Sequence, residues 1–144
     1  MTEITTISFS VDNPPQKSRS SVLHVCTSCR EPGSPRAPEE NRAGFNLYQE
    51  LRTIFLDSHL KHSVEVKPTV CLNVCSRHCG IAFSSTGAWS YLFGDQCSGE
   101  TISDIVEGMS VYTSTDDGVM RREQRPRSLR TSILGRVPPQ GKIV

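Results

Sequence analysis

The chain has 144 residues, of which 35% are hydrophobic, 22% charged and 6% aromatic, the make-up of a single soluble globular domain. Its apolar runs are only a few residues long, far below the roughly 18 to 20 that cross a bilayer, so no membrane association is expected. A net charge of +1 supplies no global attraction for nucleic acid, which is not expected as a partner either.

The opening MTEITTISFSVDNPP lacks both the basic start and the apolar centre of a secretory signal, which places the protein in the cytoplasm. Residues 1–20 are rich in Ser, Thr and Pro, with too few large apolar groups to offset the entropy of ordering, and are expected to form a disordered leader. Ser21 to Val25 supplies Val22, Leu23 and Val25 directly before Cys26. That run predicts a short buried strand whose end presents the CxxC pair Cys26 and Cys29. Arg30 to Glu40 holds Pro32, Gly33, Pro35 and Pro38 and reads as an irregular excursion.

From Asn41 to Leu60, Leu47, Leu51, Ile54 and Phe55 recur at three- and four-residue steps with Tyr48 beside them, the stripe of an amphipathic helix. His59, Lys61 and His62 fall near its expected end, where positive charge suits the helix dipole. Val64 to Val70 predicts a second strand, with Pro68 marking an edge or a departure from the ladder. Cys71, Cys75 and Cys79 follow at steps of four. Ile81 to Ser84 and Trp89 to Phe93, joined by a turn at Ser85 to Gly87, predict an antiparallel hairpin. Trp89, Tyr91 and Phe93 alternate along its second strand and share one face, better read as packing against a core than as an exposed aromatic platform.

Ser98 to Tyr112 carries Ile102, Ile105, Val106 and Met109 at helical spacing, with Ser98 or Thr101 as its N-cap. Residues 21–118 thus run strand, helix, strand, hairpin, helix. That order predicts an α/β, thioredoxin-like fold: a four-stranded mixed sheet built from a β-α-β half with a right-handed crossover and a β-β-α half. Residues 119–144 form an Arg- and Pro-rich C-terminal extension that is expected to lie along the body or trail from it. Residues 121–144 hold six Arg, one Lys and one Glu, a net of +6, against a net of −5 for residues 1–120.

Six cysteines, five of them clustered as Cys26, Cys29, Cys71, Cys75 and Cys79, point to metal ligation or redox chemistry in a chain expected to stay in a reducing compartment. Two loops that each follow one of two parallel strands can bring a CxxC and a CxxxC to one point at the end of the sheet. Tetrahedral sulfur ligation suits zinc or an iron-sulfur cluster. The 41 residues between Cys29 and Cys71 exceed the roughly 15 to 20 of a zinc ribbon, which weakens that reading without excluding structural zinc. The enzyme alternative makes Cys26 and Cys29 a thioredoxin-type thiol pair. It is weakened by the prolines after Cys29, which postpone the helix whose N-terminus would lower a thiol pKa, and by the absence of a proline directly before Ile81.

HVCTSCR at 24–30, CLNVCSRHCGIAFSSTGAWSYLFGD at 71–95 and the RPRSLRTSILGRVPP segment resemble a bacterial family described as predicted metal-binding proteins. That family is a domain of unknown function grouped with the thioredoxin-like 2Fe-2S ferredoxins, and the resemblance runs from Ser21 to Pro139. It implies Cys26, Cys29, Cys71 and Cys75 as ligands of a 2Fe-2S cluster, and an electron carrier linked to cobalamin or metal metabolism. The better-known thioredoxin-like ferredoxins space their first two cysteines further apart than CxxC, which makes Cys79 the substitute for Cys29.

The expected function is therefore an electron-transfer protein, not a catalyst, with a redox partner protein and room for a homodimer. A structural or sensory zinc module is the alternative, and a thiol-disulfide oxidoreductase the third. The plain readings of the remaining residues are a small buried side chain for Cys79, ordinary packing or surface for Cys97, an exposed loop histidine for His78, and a solvent-facing or core-satisfied strand residue for His24. Arg121, Arg122, Arg125, Arg127 and Arg130 either dock an acidic partner or phosphate, or pair with the acidic body.

Overall fold

The computed structural model describes residues 20–30 and 37–140; the expected leader and most of the proline-rich excursion lie outside them. Eight regular elements follow in chain order: β1 (Ser21–Cys26), α1 (Ala43–Leu56), β2 (Val64–Thr69), β3 (Ile81–Ser85), β4 (Ser90–Phe93), α2 (Ile102–Ser114), α3 (Arg127–Thr131) and β5 (Ile133–Val137). The strands form one mixed sheet in the order β2-β1-β3-β4-β5. β1 and β2 run parallel, joined through α1, and β3 and β4 form the antiparallel hairpin. Pro68 sits in β2, an edge strand, where its missing amide costs no ladder bond on the open side.

The sheet has five strands where four were expected. β5 comes from the Arg-rich extension and pairs antiparallel with β4, Leu92 opposite Gly135 and Tyr91 opposite Arg136. It gives the backbone of β4 a partner on its outer side, which would otherwise be an open edge.

Alternation along the strands sorts the sheet into two faces. Leu23, Val25, Ile81, Phe83, Tyr91 and Phe93 are all buried on one, while Val22, His24, Ala82, Ser84, Ser90 and Leu92 are half-buried on the other. The first face forms one core with Leu47, Leu51 and Phe55 of α1 and Ile105, Met109 and Tyr112 of α2. Aromatic rings fill its centre: Phe83 lies 5.0 Å from Phe93 and 5.6 Å from Tyr112, in tilted pairs. Tyr91 and Phe93 are core residues as the alternation required, but Trp89 is half-buried at the rim, under the Arg136 guanidinium at 4.4 Å.

Helix ends differ from the sequence expectation for local reasons. α1 stops at Leu56, because the Ser58 hydroxyl donates to the Phe55 carbonyl (3.0 Å) and accepts from the Leu60 amide (3.0 Å), closing the turn early. His59, Lys61 and His62 therefore follow the helix and do not belong to its last turn. Thr101 precedes α2, yet its hydroxyl is bound to the amide and carbonyl of Cys97 and caps no helix amide. Among the described residues no helix is long and apolar enough to cross a membrane.

Candidate metal centre

The register of three strands decides what meets at one end of the sheet. Cys26 ends β1 opposite Thr69, which ends β2, while Val25 lies opposite Ile81, which begins β3. The chain leaving β1, the chain leaving β2 and the chain entering β3 consequently share one edge. Backbone bonds tie them together: the Cys26 amide donates to the Gly80 carbonyl (3.0 Å) and the Thr27 amide to the Thr69 carbonyl (2.9 Å). The Ser28 hydroxyl donates to the Val70 carbonyl, and Thr27 Oγ1 donates to Glu39 Oε2 at 2.7 Å.

The first turn of α1 seats on the same cysteine turn. The Gly44 amide donates to the Cys29 carbonyl (3.0 Å), and a Cβ at position 44 would stand 2.0 Å from the Cys26 carbonyl oxygen. Only glycine permits that approach. The expectation that the prolines keep a helix N-terminus away from the CxxC is thus corrected: the first helix begins against the turn. Its Gly44 amide, however, bonds a carbonyl and not a sulfur.

Cys26, Cys29 and Cys79 are buried, Cys71 and Cys75 exposed, and Cys97 is exposed where the chain turns toward α2; none of the six is in a disulfide. The Cys26 thiol donates to Cys29, which in turn donates to Cys79. The Cys26 sulfur also faces the Val70 carbonyl (4.0 Å) and the Leu72 amide, at the head of the Cys71–Cys75 loop. Cys29 Sγ accepts from the Gly80 amide (3.4 Å), and Cys71 Sγ from the Asn73 amide (3.2 Å). Among the described residues no three His, Cys, Asp or Glu side chains stand converged as a metal-holding group.

The Cys26 and Cys29 thiols are held protonated. Hydrogen bonding to Cys29, followed by burial, drives the Cys26 thiol far up, against the pull of the Leu72 and Ser28 amides. For Cys29 the bond from Cys26 lowers the pKa, but donation to Cys79 and burial outweigh it and push it up to about 11. Adjacent buried thiolates need a compensating cation, and a bound metal supplies one outright. The chemistry of the donor set therefore suits a soft, thiolate-bound metal group: several sulfurs at one end of the sheet, with backbone amides already aimed at three of them.

The loop that carries the later cysteines is pinned. Arg77 makes a two-oxygen ion pair with Asp95, its Nε 2.9 Å from Oδ1, and the Asp95 amide donates to the Arg77 carbonyl (2.7 Å). Cys79 and buried Gln96 exchange backbone bonds of 3.3 and 3.1 Å. Sequence reasoning missed Gly44, Gly80 and Gln96; a small residue opening α1 and a glycine directly after Cys79 were the available signals. His78 is half-buried, not the exposed loop residue expected, and its buried Nδ1 has no hydrogen-bond partner among the described residues. His24 is satisfied by Ser84, Nε2 to Oγ 2.7 Å.

Residues 23–139 match the family described as "Protein of unknown function (DUF1636)". The chain belongs to that family. No curated protein matches the chain. Among solved structures, it is similar to a thioredoxin-like 2Fe-2S ferredoxin from Aquifex aeolicus, with 20% identity over 87% of this chain and 99% of that one, at a TM-score of 0.55. The 1.5 Å crystal structure of the wild-type thioredoxin-like 2Fe-2S ferredoxin from the same organism gives 17% identity over 81% and 98%, at a TM-score of 0.50. At such identities the likeness establishes the fold: this DUF1636 chain has the mixed α/β architecture of the thioredoxin-like ferredoxins, with five strands in its sheet.

Proposed function

We propose that this DUF1636 protein is a small 2Fe-2S electron carrier, holding its cluster with Cys26, Cys29, Cys71 and Cys75, or with Cys79 in place of Cys29. The observation that carries the reading is the position of the Cys26 sulfur, between the Val70 carbonyl and the Leu72 amide. It puts the CxxC turn and the Cys71–Cys75 loop at the same end of the sheet. The ferredoxin likeness of the fold supports the same group over zinc. A 2Fe-2S cluster there would supply reversible one-electron transfer.

The chain's own residues do the rest. The Leu72, Asn73 and Gly80 amides stabilise negative charge on sulfur, and the buried side of the site excludes water from Cys26, Cys29 and Cys79. Exposed Cys71 and Cys75 leave the outer side open to a redox partner protein. No bond chemistry on a substrate is assigned, and the cytoplasm remains the expected compartment, with a homodimer compatible with this role. The thiol oxidoreductase reading is disfavoured because Cys26 and Cys29 have raised pKa values, the reverse of what an attacking thiolate needs.

Single Cys→Ser changes at 26, 29, 71, 75 and 79 test the assignment in anaerobically purified protein. Four are expected to abolish the visible absorption and the EPR signal after dithionite, and the fifth to retain them, deciding between Cys29 and Cys79. A colourless protein carrying zinc would establish the alternative module instead.

A further inference from the structure

Among the described residues, no arginine of the extension forms an ion pair with a carboxylate of the acidic body. Among these residues the extension's one ion pair is internal, Arg121 to Glu123 at 3.3 Å. The other guanidinium bonds go to neutral carbonyls: Arg130 Nε to Arg125 (2.9 Å), Arg130 Nη2 to Glu123 (3.3 Å) and Arg122 Nη1 to Arg130 (3.5 Å). Arg125 is the extreme case, only 8% exposed, with Nε on the Leu129 carbonyl (3.2 Å) and Nη1 on the Met120 carbonyl (3.3 Å). No carboxylate neutralises it among the described residues.

Arginine stays charged in proteins, so this cation cannot shed its proton to escape burial. Burial disfavours its charge, and the neighbouring charges of Arg122, Arg130 and Arg136 disfavour it further. Carbonyl dipoles orient the guanidinium without cancelling its charge. Yet Arg125 lines a cleft of about 480 Å³ together with Arg121, Arg122, Arg136, Glu123 and Tyr91. Four arginines and one glutamate leave a net of three positive charges there at neutral pH. That volume lies within the roughly 300 to 1,000 Å³ typical of small-molecule sites.

We propose that this cleft binds a small ligand carrying a multiply charged oxyanion, a phosphoryl group or a polycarboxylate, with Arg125 as its buried anchor and Arg122 and Arg136 closing on it from the rim. Planar guanidiniums suit both oxyanions through paired N–H···O bonds. The site stands on residues apart from the cysteines, and its existence does not depend on the metal reading.

Trp89, the single tryptophan, lies under Arg136 and provides a built-in reporter. Full-length protein is titrated at constant ionic strength with pyrophosphate and, separately, with citrate, by tryptophan fluorescence and by calorimetry. Saturable one-to-one binding is expected for at least one, and the tighter of the two distinguishes a phosphoryl from a carboxylate ligand. Arg122→Gln should weaken binding by about tenfold or more, the loss of one charge-assisted contact. Arg127→Gln, which removes an exposed charge from α3 outside the cleft, should change it by less than about twofold at fixed ionic strength. Absence of saturable heat and fluorescence change with both anions overturns the proposal. Equal weakening by the two arginine variants does so as well, since it would reduce the effect to general charge attraction. An acidic protein partner that needs a broad basic surface would produce one of those two results.

Discussion

Gly44 sets how closely the first helix can approach the cysteine turn. A methyl group there meets the Cys26 carbonyl oxygen at 2.0 Å and Cys29 Cβ at 3.1 Å, so Gly44→Ala must move the backbone of the turn. Overpacking of this kind costs about 1 to 3 kcal/mol, and this variant should lose metal occupancy beyond what its lowered melting temperature explains. Metal content measured on the folded fraction checks it. Asp95 offers a second single-residue test. Its hydrogen bonds with Arg77 hold the carboxyl below the usual carboxylate range. A depressed carboxylate contributes stability above its unfolded pKa of about 3.9 and loses that contribution as pH falls through the lower folded value. The melting-temperature difference between wild type and Asp95→Asn should therefore be present at neutral pH and shrink in acid, a small effect because both side chains are over 40% exposed. At this scale the sequence showed which cysteines could matter but not their depth. Cys79 is buried because its backbone pairs with Gln96, 17 residues away, and no local pattern announces such a bond.

At the scale of elements, the parts that fold on a regular period were legible. β1, α1, β2, the hairpin and α2 all follow from alternation or from helical spacing of their apolar residues. β5 was not, because none of its residues is fully buried and Gly135 and Arg136 interrupt any apolar alternation. What holds the extension in place is α3, whose Leu129 is fully buried against α2. A Cβ on Gly108 would stand 2.5 Å from Leu129 Cδ1 and 3.5 Å from the Phe83 ring, so Leu129 fills a notch that only glycine leaves open. Asp104 of α2 accepts from the Ser128 amide (3.1 Å) and hydroxyl (2.6 Å), fixing the first turn of α3 beside that notch. Leu129→Ala should cost about 2 to 5 kcal/mol in denaturant unfolding and raise hydrogen exchange in β5 and the outer side of β4. A loss below about 1 kcal/mol would show that the extension is not anchored through α3.

For the whole molecule, the parallel pairing of β1 and β2 turns two distant sequence motifs into neighbours. Forty-one residues separate Cys29 from Cys71, and the strand ends at Cys26 and Thr69 close that gap. The same topology sends the basic C-terminal chain across the hairpin side of the sheet, beyond β4, while the cysteine loops follow β1 and β2. Sulfur chemistry and cationic cleft thus rest on different elements. Both functional readings survive or fail separately. The sulfur end of the sheet is tested most directly by the amount of iron and acid-labile sulfide in protein purified without oxygen. About two of each per chain are predicted, lost together when Cys71 and Cys75 are both replaced by serine. Iron without sulfide, or zinc in its place, would contradict the 2Fe-2S reading.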